Sequence, residues 1–121
     1  MDLNLNLGFD VPEPDPKWVE AVTSLRERPP RTIAQSKASA EVPRMFAENL
    51  VVLRRGRGLS QEGAADRAGL TRSEISLLER GRRTPRLDTI VRLGGALETE
   101  PCELLMGLAI QLDPPPKGGS K

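Results

Sequence analysis

The side chains able to do chemistry in this sequence are almost all arginines. Eleven stand between residues 44 and 92 (Arg44, Arg54, Arg55, Arg57, Arg67, Arg72, Arg80, Arg82, Arg83, Arg86 and Arg92), against six carboxylates, a net of +5. The flanks run the other way, −3 over residues 1–30 and −2 over 93–121, so the overall charge of +1 hides a basic middle between acidic ends. That distribution fits an anion-binding domain with self-screening tails. Every basic residue of the middle is arginine, a bias that high-GC codon usage also produces, so it is not read as specific for guanine. Histidine and tyrosine are absent and cysteine occurs once, at Cys102. The commonest general base, the Ser–His and Cys–His pairs and most transition-metal sites are therefore missing. A disulfide framework and a cysteine zinc site are excluded as well, and no Gly-rich phosphate loop is present. An enzyme, a cofactor and a metal centre are not expected.

Anion-binding arginines need a frame, and Leu59–Gly81, LSQEGAADRAGLTRSEISLLERG, supplies one. Ser60 is a good N-cap, with Gln61 and Glu62 in the first turn, where exposed N–H groups favour them. Ala64, Ala65 and Ala68 let another helix approach closely. Gly69 ends this helix because glycine takes the left-handed conformation. Thr71 then caps a second helix, with Glu74 at capping-box spacing and Leu70 and Ile75 spaced for a hydrophobic staple. Ile75 and Leu78 make its buried face, and Gly81 ends it. A helix, a tight glycine turn and a second helix form a helix-turn-helix, whose second helix is built to enter the DNA major groove.

The remaining elements must hold that unit. At 121 residues the chain makes one domain with tails. Its aromatics are only Phe9, Trp18 and Phe46, so the core is aliphatic, which favours small packed helices over a β-sandwich. The expected fold is all-α. Leu3, Leu5 and Leu7 alternate like a strand, which either pairs with another chain or stays disordered. Asp15-Pro16 opens an amphipathic helix over 16–28. Its stripe of Trp18, Val19, Val22 and Leu25 either covers the main domain or presents Trp18 to a partner protein. Residues 29–42, PPRTIAQSKASAEV, read as a linker, so that 1–42 form a partly disordered extension. Pro43 starts the next helix in its first turn. Met45, Phe46, Leu50 and Leu53 recur along it, with Val51 and Val52 beside them, and Gly58 stops it after Arg57. Beyond Gly81 the basic loop RRTPR leads to a fourth helix from Leu87, buried through Ile90, Val91, Leu93 and Leu97. Gly94-Gly95 costs that helix roughly 1 kcal/mol per glycine, which suggests a close helix contact. Thr99 caps an apolar fifth helix with Pro101 in its first turn, running to Leu112. Leu105, Leu108 and Leu112 are its best surface for a homodimer. Residues 113–121 read as a disordered tail. No apolar run approaches the ~18 residues of a membrane span, and no signal peptide is apparent, so a cytoplasmic protein is expected.

The pattern over residues 44–106 resembles the lambda-repressor-like (Cro/CI, Xre-type) helix-turn-helix family. The resemblance is carried by RRGRGLSQ (54–61), Ala65, AGLT (68–71), ISLLERG (75–81), Pro85 and ELL (103–105). It implies a five-helix DNA-binding domain over 43–112, with the second and third helices as the reader. By resemblance, Gln61 contacts a phosphate at a helix N-terminus. Arg72 and Ser73 fall where base edges are read, and an arginine there can bond guanine O6 and N7 together. Ser76 lies one turn on and is taken as a phosphate contact. Leu77, where the family often has a polar reader, either offers an apolar contact to a thymine methyl or faces the core. Arg82, Arg83 and Arg86 match the loop that grips the backbone, and Arg54 and Glu79 match a structural ion pair. Gly63 and Ala64 depart from the family, which usually has a longer polar residue and a leucine there, and they weaken helix and core. The implied function is a sequence-specific transcription regulator, expected to be a repressor that binds a palindromic operator in double-stranded DNA as a homodimer. A second reading is an antitoxin that neutralises a partner through residues 1–40 and autoregulates through the helix-turn-helix. A pure protein-interaction module is the third, and the loop arginines argue against it.

Overall fold

The structure, a computed structural model, describes residues 15–28 and 31–111. The alternating leucines of the first fourteen residues, Leu112 and the C-terminal tail lie outside the described residues.

The first helix forms as its sequence dictates. Asp15 caps α1 (Pro16–Glu27) by accepting the Lys17 N–H at 2.9 Å, with Pro16 in the first turn. Leu25 is buried, Trp18 and Val22 are half-buried, and Val19 is exposed. The stripe therefore lies on the domain itself, which is the covering use of the two open in the sequence.

The expected linker is instead structured. Residues Arg31–Ala34 form strand β1, a 3-10 turn follows over Gln35–Lys37, and α2 runs unbroken over Ala38–Gly56. The boundary drawn at residue 43 thus falls inside a helix, and Pro43 is a buried interior residue of it. Inside a helix proline removes the bond to the carbonyl four residues back and crowds that carbonyl, a cost of roughly 3 kcal/mol. The packing of α2 against β1 and the C-terminal strand outweighs that loss.

Helices α3 (Gln61–Ala68), α4 (Arg72–Glu79) and α5 (Leu87–Ala96) follow at the expected places. The expected fifth helix of the domain does not form. A 3-10 turn, Pro101–Leu105, gives way to strand β2 (Leu108–Gln111), and Thr99 is not its cap, since Glu100 holds the N-cap position. The reason is a competing set of hydrogen bonds. The buried Asn49 amide donates to the carbonyls of Leu104 (2.9 Å) and Met106 (3.0 Å), which a continuing helix would need for its own backbone. Gly107 then turns the chain at φ +82°, and β2 pairs in parallel with β1, Ile33 opposite Ile110. Among the described residues the class remains mainly helical, with five α-helices counting α1 and a two-stranded parallel ribbon of β1 and β2.

One core unites these elements. Leu25 of α1 packs with Phe46, Leu50 and Leu53 of α2, Ala64, Ala65 and Ala68 of α3, Ile75 and Leu78 of α4, and Leu93, Ala96, Leu97 and Leu104 beyond them. Where α1 crosses the end of α2, a Cβ placed on Gly56 would stand 2.6 Å from that of Ala21. Gly94 is similarly enclosed by Pro101 and Thr99, whereas a Cβ on Gly95 would meet nothing within 4 Å. The two glycines of α5 thus differ, and only Gly94 makes the close contact read from the pair. Opposite outcomes are expected in urea unfolding. Gly56→Val should destabilise by about 2 kcal/mol through overpacking, and Gly95→Ala should stabilise by roughly 0.5–1 kcal/mol through helix propensity.

Candidate nucleic-acid interface

Local capping sets the angle between α3 and α4. Ser60 Oγ accepts the Gly63 N–H at 2.9 Å. Gly69 takes φ +72°, and the Leu70 N–H returns to the Ala65 carbonyl at 2.9 Å. The capping box is complete, with Thr71 Oγ1 accepting the Glu74 N–H at 3.1 Å and Glu74 Oε1 accepting the Thr71 N–H at 3.4 Å. Ile75 and Leu78 are buried. The other side of α4 presents Arg72 and Ser73 exposed, with Ser76 and Leu77 half-buried one turn on.

The far end of α4 is held by charge. Arg54, only 9 % exposed, grips Glu79 with two donors, Nε to Oε2 and Nη2 to Oε1 (3.0 Å), and sends Nη1 to the Leu59 carbonyl at 2.8 Å. Gln61 Nε2 also donates to Glu79 Oε1, at 3.0 Å. The Gln61 amide is therefore engaged with Glu79, leaving its second N–H for another acceptor.

Past α4, Gly81 adopts φ +69°, with the backbone of Arg44 so near that a Cβ would lie 3.2 Å from the Arg44 Cα. Arg82 and Arg83 follow, exposed. Arg86 Nε lies 3.4 Å from Asp88 Oδ1, and Arg92 shares that carboxylate at 3.6 Å. Exposed pairs of this kind are worth ~0–1 kcal/mol, so they exchange readily for another anion. Arg83, Arg86 and Arg92 line a common groove with Gly69 and the first turn of α5.

Beyond Arg86 and Arg92, the other nine arginines of the middle divide in two. Arg54 is structural, and so is Arg57, which stacks 3.6 Å over the Trp18 ring and donates to the carbonyls of Leu97 and Glu98. Arg67 reaches the Ala96 carbonyl at 3.5 Å, and Arg80 bonds back to Ser76. The side chains of Arg44, Arg55, Arg72, Arg82 and Arg83 make no hydrogen bond or ion pair with the described residues. Arg44 is the addition that sequence spacing missed. It lies nearly 40 residues before the loop it adjoins, and no local pattern reports that proximity.

The surface expected for self-association is not a helix face. Leu105 closes the 3-10 turn, Leu108 opens β2 half-buried, and Leu112 lies outside the described residues. Among the described residues, no helix is long and apolar enough to cross a membrane.

A two-helix unit so capped, with an exposed polar face and an arginine loop behind it, defines a helix-turn-helix. The helix-turn-helix family model HTH_3 matches residues 52–104. An uncharacterised HTH-type transcriptional regulator of Sinorhizobium fredii, y4dJ, is 37 % identical over 65 residues, covering 54 % of this chain and 84 % of that one. Among solved structures, the restriction-modification controller protein C.AhdI from Aeromonas hydrophila is 44 % identical with a TM-score of 0.50, over 51 % of this chain and 94 % of that one. A hypothetical transcription factor from Neisseria, NHTF, is 30 % identical with a TM-score of 0.54, over 57 % and 79 %. The chain belongs to the HTH_3 helix-turn-helix family, the lambda-repressor-like class of DNA-binding transcription regulators.

The buried pair gives a sharp stability test. Glu79→Ala strands a buried guanidinium and is expected to cost about 3 kcal/mol. The double change Arg54→Leu with Glu79→Leu, which removes both charges, should cost less in the same denaturant titration.

Proposed function

We propose that this chain is a sequence-specific, DNA-binding repressor that acts in the cytoplasm as a homodimer on a palindromic operator. The observation that carries the reading is the division of α4. Ile75, Leu78 and Glu79 fix the helix to the domain, while Arg72 and Ser73 stand exposed on the opposite side. In this reading Arg72 bonds guanine O6 and N7, Ser73 reads a neighbouring base edge, and Leu77 meets a thymine methyl. Ser76, the second N–H of Gln61, Arg82, Arg83 and Arg86 take phosphates, and the N-terminus of α3 adds its partial positive charge. One such domain contacts few bases, so useful specificity calls for two half-sites about 34 Å apart on one face of the duplex. Bound there, the dimer represses by occupying promoter DNA.

The antitoxin reading gains no support from α1 and β1. Their buried side chains, Leu25 and Ile33, pack within the domain rather than toward a partner.

Genomic DNA that co-purifies with the protein, once sequenced, supplies the operator. Titrations on operator and random DNA at several salt concentrations then separate the roles. Arg82→Ala and Arg83→Ala should weaken both complexes alike and reduce the salt slope by about 1. Arg72→Ala should relax specificity at one base pair, losing roughly 1–3 kcal/mol of discrimination. Equal losses on both DNAs for Arg72→Ala would refute base reading by that side chain.

A further inference from the structure

Helix α5 buries Leu93, Gly94 and Ala96 on one side and carries bare apolar surface on the other. Leu87 is 78 % exposed and Val91 55 %, and the space where a Cβ of Gly95 would stand is open. These three residues are spaced by four and form a single ridge, large at its start, medium at its centre and empty at its end. Such a ridge complements its own reverse. A two-fold axis at Val91 sets Leu87 of one copy over Gly95 of the other, and the same contact repeats across the axis. Ridges of this spacing interdigitate at a crossing angle near −50°. Asp88 and Arg92, exposed beside the ridge and 3.6 Å apart in one copy, place one charge of each sign along its rim, so a reversed copy offers each a second partner of opposite sign.

We propose that this ridge is the contact between two copies of the chain, and that it forms on DNA. The inference rests on the DNA-reading role proposed above and names the surface through which two bound copies meet. Two exposed side chains per copy cover far less than the roughly 800 Å² per partner of a stable dimer. The contact is therefore weak in free solution. Two copies held on adjacent half-sites face each other at high effective concentration, and there a weak contact suffices. The ridge is well placed for this, since Leu87 directly follows Arg86 of the phosphate-gripping loop. Binding to paired half-sites is then cooperative.

The test uses the full chain and the genomic fragment that the wild-type protein recovers, intact and cut into its two halves. Wild type should bind the intact fragment cooperatively. Gly95→Leu fills the gap, and Leu87→Ser removes the side chain set over it. Each should reduce cooperativity at least tenfold and leave affinity for a single half unchanged. Gly95→Leu should not lower the melting temperature, because a Cβ there meets nothing within 4 Å and leucine is the better helix former. In a Cys102→Ser background, Val91→Cys should form a disulfide-linked dimer on the intact fragment under mild oxidation, and Leu105→Cys should not. Unchanged cooperativity in both ridge variants, cross-linking through position 105 rather than 91, or non-cooperative binding by wild type would overturn the proposed contact. Failure of wild type to recover or bind any fragment would instead overturn the DNA-reading role.

Discussion

The contact between Arg54 and Glu79 is the constraint on which the reading surface depends. Helix α4 has eight residues, well short of the ~12–15 at which an isolated helix becomes even marginally stable in water. Its N-terminus is secured by the capping box and its middle by Ile75 and Leu78. Its C-terminal end is secured by a buried ion pair. Burying two charges is favourable only when geometry is good and the remaining donors and lone pairs are satisfied. Both conditions hold here, through the two-donor fork, the Leu59 carbonyl and the Gln61 amide. One carboxylate thereby ties α4 to both α2 and the start of α3, which fixes the direction in which Arg72 and Ser73 point.

Around this pair the core is thin, because α3 contributes only alanines to it. Small side chains bring α3 close to its neighbours but bury little apolar area. The extension adds to what α3 lacks. Leu25 enters the core, Trp18 lies under Arg57, and Ala21 meets Gly56 so closely that the two helices leave no room for a larger residue. Arg26 reaches across to the buried Glu103, whose hydrogen bond and charge raise the Arg26 pKa above its ordinary value. Asn49 does a comparable service at the same, C-terminal end of α1. It accepts from Arg28 and donates to two carbonyls of the C-terminal turn, so one buried amide links α1, α2 and the segment leading to β2. The N-terminal segment is thus a working part of the domain.

Net charge alone overstates how much of the arginine surplus faces outward. Arg54 and Arg57 hold backbone carbonyls and neighbouring side chains, and Arg86 and Arg92 share Asp88. Of the side chains left unengaged, Arg72 heads α4, Arg82 and Arg83 follow it, Arg44 abuts the turn at Gly81, and Arg55 lies exposed on α2. Guanidinium groups serve both purposes because they carry a fixed charge and a planar set of donors. Only position in the fold separates the two sets.

The helix-turn-helix was legible from the sequence because its determinants are local. Ser60, Gly69, Thr71 with Glu74, and Gly81 each act through bonds or dihedral angles within a few residues, so residue type and spacing suffice to place α3 and α4. What lay beyond local reach went differently. Pro43 looked like a helix start, and PCELLMGLAIQL like a helix, since both patterns are valid in isolation. The first was overridden by packing of α2 against β1 and β2. The second was overridden by the Asn49 amide and by β1, partners more than fifty residues away along the chain. The sequence by itself determined the reading unit and its exposed face. The tertiary structure decided which arginines are left unengaged, how β1 and β2 pair, and which apolar face is left bare. Those outcomes depend on distances between residues remote in sequence, and no local periodicity encodes them.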